Sequence, residues 1–292
     1  MKIIDTPFKT SSKIDCLLSQ GVGTVIRYYN FSNSATFPDK CLELAEAQLL
    51  ASRGIQLAVV FQQRQTQVID FSAAKGKAAG HRAYRYAQDS IDQPAGSAIY
   101  FSVDFDASPG EIASNIAPYF EGVKRAFEEE SGGQPEYRIG VYGSGLVGKT
   151  LAGQGLTSLT WLSMSRGFRG TREALAAGDY HLAQLPPDTT ICGIGVDFND
   201  TNPARPDFGA FKLDHGRLAM PPSVPVGERY RVLARSGLRL RGGPGTQFDV
   251  LGSLRSGQVV FVTSVSDGWA RVDLEGDGQV DGFAAASFLE RV

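Results

Sequence analysis

Asp104 and Asp106 stand two residues apart at the end of the apolar run Ala98-Ile99-Tyr100-Phe101-Ser102-Val103. Side chains repeat every two residues along a strand, so both carboxylates are expected on one face of its C-terminal end. Two close carboxylates resist ionising together, which suits one of them to holding a proton for transfer. A solvated turn or a helix-capping set is the plainer explanation of an isolated Asp-x-Asp, so the weight rests on what else converges there. Asp5 ends a short apolar run at the N-terminus, Tyr142 and Gln184 end later ones, and Asp197 ends the last. Tyr28, Tyr29, Tyr142 and Trp161 are expected near the same place. Aromatic faces beside carboxylates suit sugar rings, although each of these aromatics could equally be a core residue.

The elements that must position these side chains alternate in type. Eight apolar runs read as strands: Ile3-Ile4, Thr24 to Tyr29, Ile55 to Phe61, Ala98 to Val103, Tyr137 to Tyr142, Leu159 to Ser163, His181 to Gln184 and Gly195 to Phe198. Between them lie helical patterns at 12–20, 40–53, 72–86 and 109–130, with shorter pieces near 145–152 and 171–177. The start at Ser108-Pro109-Gly110-Glu111 is a capping box, and Ile112, Ile116, Tyr119, Phe120, Val123 and Phe127 make one apolar helix face. Nearly all-apolar strands alternating with amphipathic helices argue for parallel strands covered by helices. The expectation is an α/β chain folded as a (β/α)8 TIM-type barrel over residues 1–214, its last helices shortened, with a doubly wound open sheet as the alternative. Barrel enzymes build their sites at the C-terminal strand ends, which is where Asp5, Asp104, Asp106 and Asp197 fall.

Pro203, Pro206, Pro221, Pro222 and Pro225 mark the stretch 201–226 as extended, and its second half, 215–226, as a Pro-rich linker. Beyond it, 227–292 changes to short, closely spaced strands with glycine turns, the pattern of a small all-β SH3-like barrel.

Three motifs are set aside. Gly143-Ser144-Gly145-Leu146-Val147-Gly148-Lys149-Thr150 matches a phosphate loop but follows the fifth strand run, without a convincing acidic partner, and reads as a glycine-rich loop beside a ligand cleft. Cys16, Cys41 and Cys192 lack a nucleophile context and read as structural thiols, with room for one disulfide. Asp273 to Asp281 imitates a calcium loop but has Ala284 where a bidentate Glu belongs, so it reads as a polar hairpin.

The net charge of -2, with no long block of like charge, argues against nucleic acid as a partner, and no run is long enough to span a membrane. No secretory signal is recognisable at Met1-Lys2-Ile3-Ile4.

The quoted residues carry two resemblances. Ile4-Asp5-Thr6, Tyr100 to Asp106, Gly140-Val141-Tyr142-Gly143-Ser144, Ala183-Gln184 and Gly195 to Asn199 resemble the bacterial glycoside-hydrolase-like domain related to family 25 lysozymes, from Ile3 to about Leu213. Those lysozymes carry Asp-x-Glu on the fourth strand, with the Glu as general acid; here Asp106 holds that place with a side chain shorter by one methylene. Gly237 to Gly245, Asp267-Gly268-Trp269 and Gly282-Phe283 resemble a bacterial SH3 domain. The pairing implies a peptidoglycan-directed, muramidase-like glycosidase with no cofactor or metal, anchored through wall peptide. Asp106 would be the acid. Asp104, Asp5 and Asp197 would position the sugar, stabilise an oxocarbenium-like state or orient water, while Tyr28, Tyr142, Trp161 and Gln184 bind substrate. The alternative is a non-catalytic wall-binding protein that keeps the glycan cleft. Either role implies synthesis in the cytoplasm and action at the wall or periplasm, after release by a phage-type holin or a specialised secretion machine.

Overall fold

The computed structural model describes residues 1–213 and 226–292. All of the expected linker except Val226 therefore lies outside the described residues. The chain forms two compact units, one of Met1–Asn30 and Asp39–His215, the other taking in the C-terminal strands together with Phe31–Pro38.

The first unit is a closed eight-stranded barrel, and its strands are the eight apolar runs. They are β1 (Lys2–Asp5), β2 (Val22–Tyr29), β3 (Gln56–Phe61), β4 (Ala98–Ser102), β5 (Arg138–Gly143), β6 (Leu159–Leu162), β7 (Leu182–Ile191) and β8 (Ile194–Thr201). The connecting helices are α1 (Ile14–Ser19), α2 (Leu44–Ser52), α3 (Ala73–Arg85), α4 (Pro109–Glu111), α5 (Ala117–Glu130), α6 (Gly145–Gly153) and α7 (Thr171–Ala177). Strand alternation sorts the two faces. On β4, Ala98 and Tyr100 join the barrel interior with Ile26, Val60 and Trp161, whereas Phe101 packs outward on Tyr119, Phe120 and Phe127 of α5. The capping box forms as expected, Ser108 Oγ accepting from the Glu111 amide at 3.3 Å and Glu111 Oε2 accepting from the Ser108 amide at 2.8 Å.

Small residues let α3 and α5 approach closely. A Cβ added to Gly76 would stand 1.9 Å from the Tyr119 carbonyl oxygen, and one on Gly122 would stand 2.3 Å from that of Ala73.

One strand departs from the all-parallel expectation. β1 to β7 run parallel, but β8 is antiparallel to both β7 and β1. The reason is connection length. β7 continues to Ile191, leaving only Cys192 and Gly193 before β8, and both have positive φ (52° and 78°). Two such residues make a tight hairpin turn, whereas a parallel crossover needs a dozen or more. The disulfide left open by the sequence joins Cys192 at this hairpin's tip to Cys16 on α1, so those two are not the thiols expected.

The phosphate-loop match is packed helix. Ser144 caps α6, accepting from the Val147 amide at 3.2 Å, so Gly145 is already helical. Its absent Cβ would stand 2.0 Å from the Gly170 carbonyl oxygen, and that of Gly148 2.5 Å from Thr160 Cγ2. These glycines serve close packing and leave no open nest of amides.

The Pro-containing stretch after β8 also differs from an extended connector. Phe208 and Phe211 are buried, the Tyr100 hydroxyl donates to the Phe208 carbonyl at 2.8 Å, and Leu57 and Phe211 exchange backbone bonds at 2.8 and 2.7 Å. Residues up to Leu213 thus pack on the barrel.

The second unit holds an antiparallel seven-stranded sheet formed by β9 (Glu228–Val232), β10 (Leu238–Arg241), β11 (Val250–Leu254), β12 (Val259–Ser266), β13 (Trp269–Asp273), β14 (Gly282–Ala285) and β15 (Leu289–Arg291), in the order β11-β10-β14-β13-β12-β9-β15. The calcium-like turn folds onto itself. Buried Asp273 accepts from the amides of Glu275, Gly276 and Gly278 at 3.1, 2.6 and 2.7 Å, and Asp281 from that of Leu274 at 2.8 Å.

Two substitutions test these contacts. Gly76→Ala must push α5 away from α3, and denaturant unfolding is expected to show a loss of about 1–3 kcal/mol. Cys192→Ser releases a cross-link between residues 176 apart in sequence, which is expected to cost about 2–5 kcal/mol, a loss that reduction of the wild-type protein should reproduce.

Candidate active site

At the barrel end where β1 to β6 terminate, a cavity of about 280 Å³ is lined by Asp5, Tyr28, Gln62, Ser102, Asp104, Tyr142, Trp161, Met164, Ser165, Gln184, Asp188 and Asp197, with Val60 beneath. Strand register explains the gathering. Ser102, Tyr142 and Trp161 are successive partners across β4, β5 and β6, and Asp5 faces Asp197 across β1 and β8. Asp197 therefore arrives in mid-strand on an antiparallel partner, not at the end of a parallel one.

Gln184 links these groups. Its Oε1 accepts from the Tyr142 hydroxyl at 2.8 Å and the Met164 amide at 3.3 Å. Its Nε2 donates to Asp5 Oδ2 at 3.1 Å and Asp197 Oδ2 at 2.9 Å. Asp5 also accepts from Asn199 Nδ2 at 2.8 Å and from the Tyr28 hydroxyl at 3.4 Å. Trp161 is nearly fully buried, with Nε1 donating to Asn199 Oδ1 at 2.8 Å and its ring edge-on to Tyr142 at 4.7 Å. It forms a wall of the cavity and presents little open face for stacking.

Two expected residues are elsewhere. β4 ends at Ser102, so the two-residue period does not carry through to Asp106. The Asp104 amide donates to the Gln65 carbonyl at 2.8 Å, Phe105 packs on Phe71, and the chain turns out of the barrel. The Asp106 carboxylate binds the Arg169 backbone amide at 2.7 Å and the Arg169 guanidinium at 2.8 Å, and it does not line the cavity. Asp106 thus ties down the loop after β6, which carries Met164 and Ser165, and the position assigned to it as general acid is not in the site. Tyr29 is the other. As the neighbour of inward-facing Tyr28 it must point outward, and its hydroxyl donates to Gln93 at 2.9 Å in the core.

Burial raises the proton affinity of all three cavity acids, each against different neighbours. Burial, then the charge of Asp197, raises Asp5 to about 7 despite its three donors. Burial, then the charges of Asp188 and Asp104, raises Asp197 to about 6. Burial raises Asp104 as well, opposed by the Gln62 hydrogen bond and the charge of Lys40. Burial holds the Tyr28 and Tyr142 hydroxyls well above their ordinary range, so both remain donors. Ser102 Oγ is buried against the cavity with no hydrogen-bond partner in the protein.

Sequence reasoning passed over Gln62, Ser102, Asn199 and Asp188. Gln62 follows the last apolar residue of the third run, Ser102 lies two before Asp104, and Asn199 two after Asp197, so period and strand-end position could have found all three. Asp188 had no such signal, because nothing marked β7 as continuing through Pro186 and Pro187. As for metal ligands, the acids close enough to share a cation among the described residues are Asp273, Glu275 and Asp281 in the second unit. Asp273 already spends its oxygens on backbone amides.

Comparison with known proteins gives a consistent picture. The Rv2525c-like, glycoside hydrolase-like domain model matches residues 15–200, and the bacterial SH3 domain model matches 236–290. The uncharacterized protein YbfG of Bacillus subtilis is 30% identical over 225 residues, 74% of this chain and 30% of its own length. FadG of the same organism is 28% identical over 55% of this chain and 27% of its own. The chain thus spans under a third of the length of these curated relatives. The Tat-secreted protein Rv2525c of Mycobacterium tuberculosis, solved in complex with L-tartrate, shares the fold with a TM-score of 0.58 at 22% identity, covering 72% of this chain and 98% of that one. With its barrel matched over most of its length, the chain belongs to the Rv2525c-like, glycoside hydrolase-like family and carries that domain ahead of a bacterial SH3 domain.

Proposed function

We propose that the protein is a muramidase-like glycosidase that cleaves the glycan strand of peptidoglycan, with the SH3 domain binding wall peptide and raising local concentration at the polymer. The observation that carries this reading is one cavity that gathers three carboxylates in unlike surroundings, Asp5 and Asp197 raised by burial and by neighbouring acids, and Asp104 raised by burial but opposed by the Gln62 donor and the Lys40 charge. Divergent environments are how a site divides acid from base. Asp197, half-buried and sharing the Gln184 amide with Asp5, is raised to about 6, holds a proton in mildly acidic solution and delivers it to the glycosidic oxygen. Asp104, where the Gln62 hydrogen bond and the Lys40 charge oppose the rise from burial, is the carboxylate that faces the positive charge developing on the sugar, or the water that attacks it. Ser102 and the two tyrosines offer hydrogen bonds to sugar hydroxyls. Peptidoglycan lies outside the cytoplasm, and Cys16–Cys192 fits such an oxidising compartment.

Purified protein acting on isolated cell walls should release reducing ends. Asp104→Asn and Asp197→Asn are each expected to lower that rate by about 100-fold or more, whereas Asp106→Asn should cost less than about tenfold, since its carboxylate serves the loop. Binding to walls without release by the wild type would make the chain a binding protein. The pH profile follows from the same groups. Asp197 must be protonated to act, so the rate should fall as pH rises through about 6–7, where Asp197 and Asp5 lose their protons. On the acid side it should fall where Asp104 becomes protonated. A rate still rising above pH 8 would remove Asp197 from the acid role.

A further inference from the structure

Lys40 stands beside the cavity without lining it. Its Nζ donates to the Gln62 backbone carbonyl at 3.2 Å and to Gln62 Oε1 at 2.9 Å, and lies 4.4 Å from the centre of the Tyr28 ring. Gln62 Nε2 donates onward to Asp104 Oδ2 at 3.3 Å. An ammonium group can only donate and a carboxylate can only accept. The amide between them therefore has one satisfactory orientation, oxygen toward Lys40 and nitrogen toward Asp104. Turned over, it would set its NH2 against the ammonium and its oxygen against the carboxylate, losing both bonds.

We propose that Lys40 is a positioning residue that acts through the Gln62 amide to keep a donor aimed at Asp104 and so favour the ionised form of that carboxyl. The inference deepens the glycosidase reading and rests on it for the role of Asp104, but the orientation itself is a property of the protein without substrate. The charged and titratable groups around the pair are few. Asp104, Cys41 and Arg27 act on Lys40, and Gln62 and Lys40 act on Asp104. Asp104 in turn acts on Tyr28, Tyr142 and Asp197. Burial draws the Lys40 ammonium down to about 8, so the orienting donor itself loses its proton in mildly alkaline solution. Below that pH the chain Lys40, Gln62, Asp104 runs in one direction only. It gives Asp104 a fixed donor and a nearby positive charge, while the Asp5 and Asp197 pair has no cation of its own in hydrogen-bond contact among the described residues.

The test reads the protonation of Asp104 directly, by carbon NMR titration of protein labelled at aspartate carboxyls, the signal being assigned by its loss in Asp104→Asn. Lys40→Met is expected to raise the proton affinity of Asp104 about tenfold. In a Gln62→Leu background the same substitution should have a clearly smaller effect, about threefold, because the route through the amide is gone and only the direct charge of Lys40 remains. Equal effects in the two backgrounds would mean that Lys40 acts by charge through space, and no effect in either would mean that it does not act on Asp104; both outcomes overturn the proposal. Should Lys40→Met fail to fold, Lys40→Leu, which likewise has no donor, carries the same comparison. Failure of the glycosidase reading would appear separately, as walls that yield no reducing ends while these titrations behave as expected.

Discussion

Asp5 and Asp197 face each other across the antiparallel pair that closes the barrel. Like charges directly opposite on paired strands repel, and Asp5 is fully buried, so both cannot ionise cheaply. The surrounding structure answers that constraint with shared donors. Gln184 bridges the two acids, and Asn199 and Tyr28 add to Asp5. These donors moderate the rise in proton affinity without cancelling it. Reversed in direction, β8 brings Asp197 to this place from mid-strand. The tight turn at Cys192 and Gly193 sets that direction, and the disulfide to α1 anchors the turn.

The same device, an amide whose orientation is fixed from behind, serves both halves of the site. Gln184 accepts a backbone amide from Met164, a donor that cannot reverse its role, so its nitrogen must face Asp5 and Asp197. Gln62 accepts from Lys40 and must face Asp104. The difference lies in what stands behind the amide. A neutral donor backs the pair and a cation backs Asp104, so a positive charge opposes the rise that burial imposes on Asp104.

Much of this was legible in the sequence because barrel sites obey strand ends and strand parity. Asp5, Tyr28, Asp104, Tyr142 and Gln184 were found by those two rules, and Ser108 announced its helix through local capping. The rules failed where the chain stops being a strand. Asp106 was placed by extending the two-residue period past Ser102, but the turn at Asp104 had already broken it, and Arg169, distant in sequence, captured the carboxylate. Tyr29 broke parity with Tyr28 and went to the outer layer. The hairpin was hidden because β7 continues through two prolines, residues that ordinarily argue against a strand. The phosphate-loop match showed the opposite hazard: a pattern complete in letters, with glycines that answer to packing against Gly170 and Thr160.

In mildly acidic solution the proton is expected on the Asp5 and Asp197 pair, with Asp104 expected bare. Neutron diffraction from deuterated crystals grown near pH 6 would locate it. The account predicts deuterium density between or on the Asp5 and Asp197 carboxyls, none on Asp104, and two deuterons on the Gln62 nitrogen with one aimed at Asp104. Deuterium on Asp104 with the facing pair both bare would contradict it.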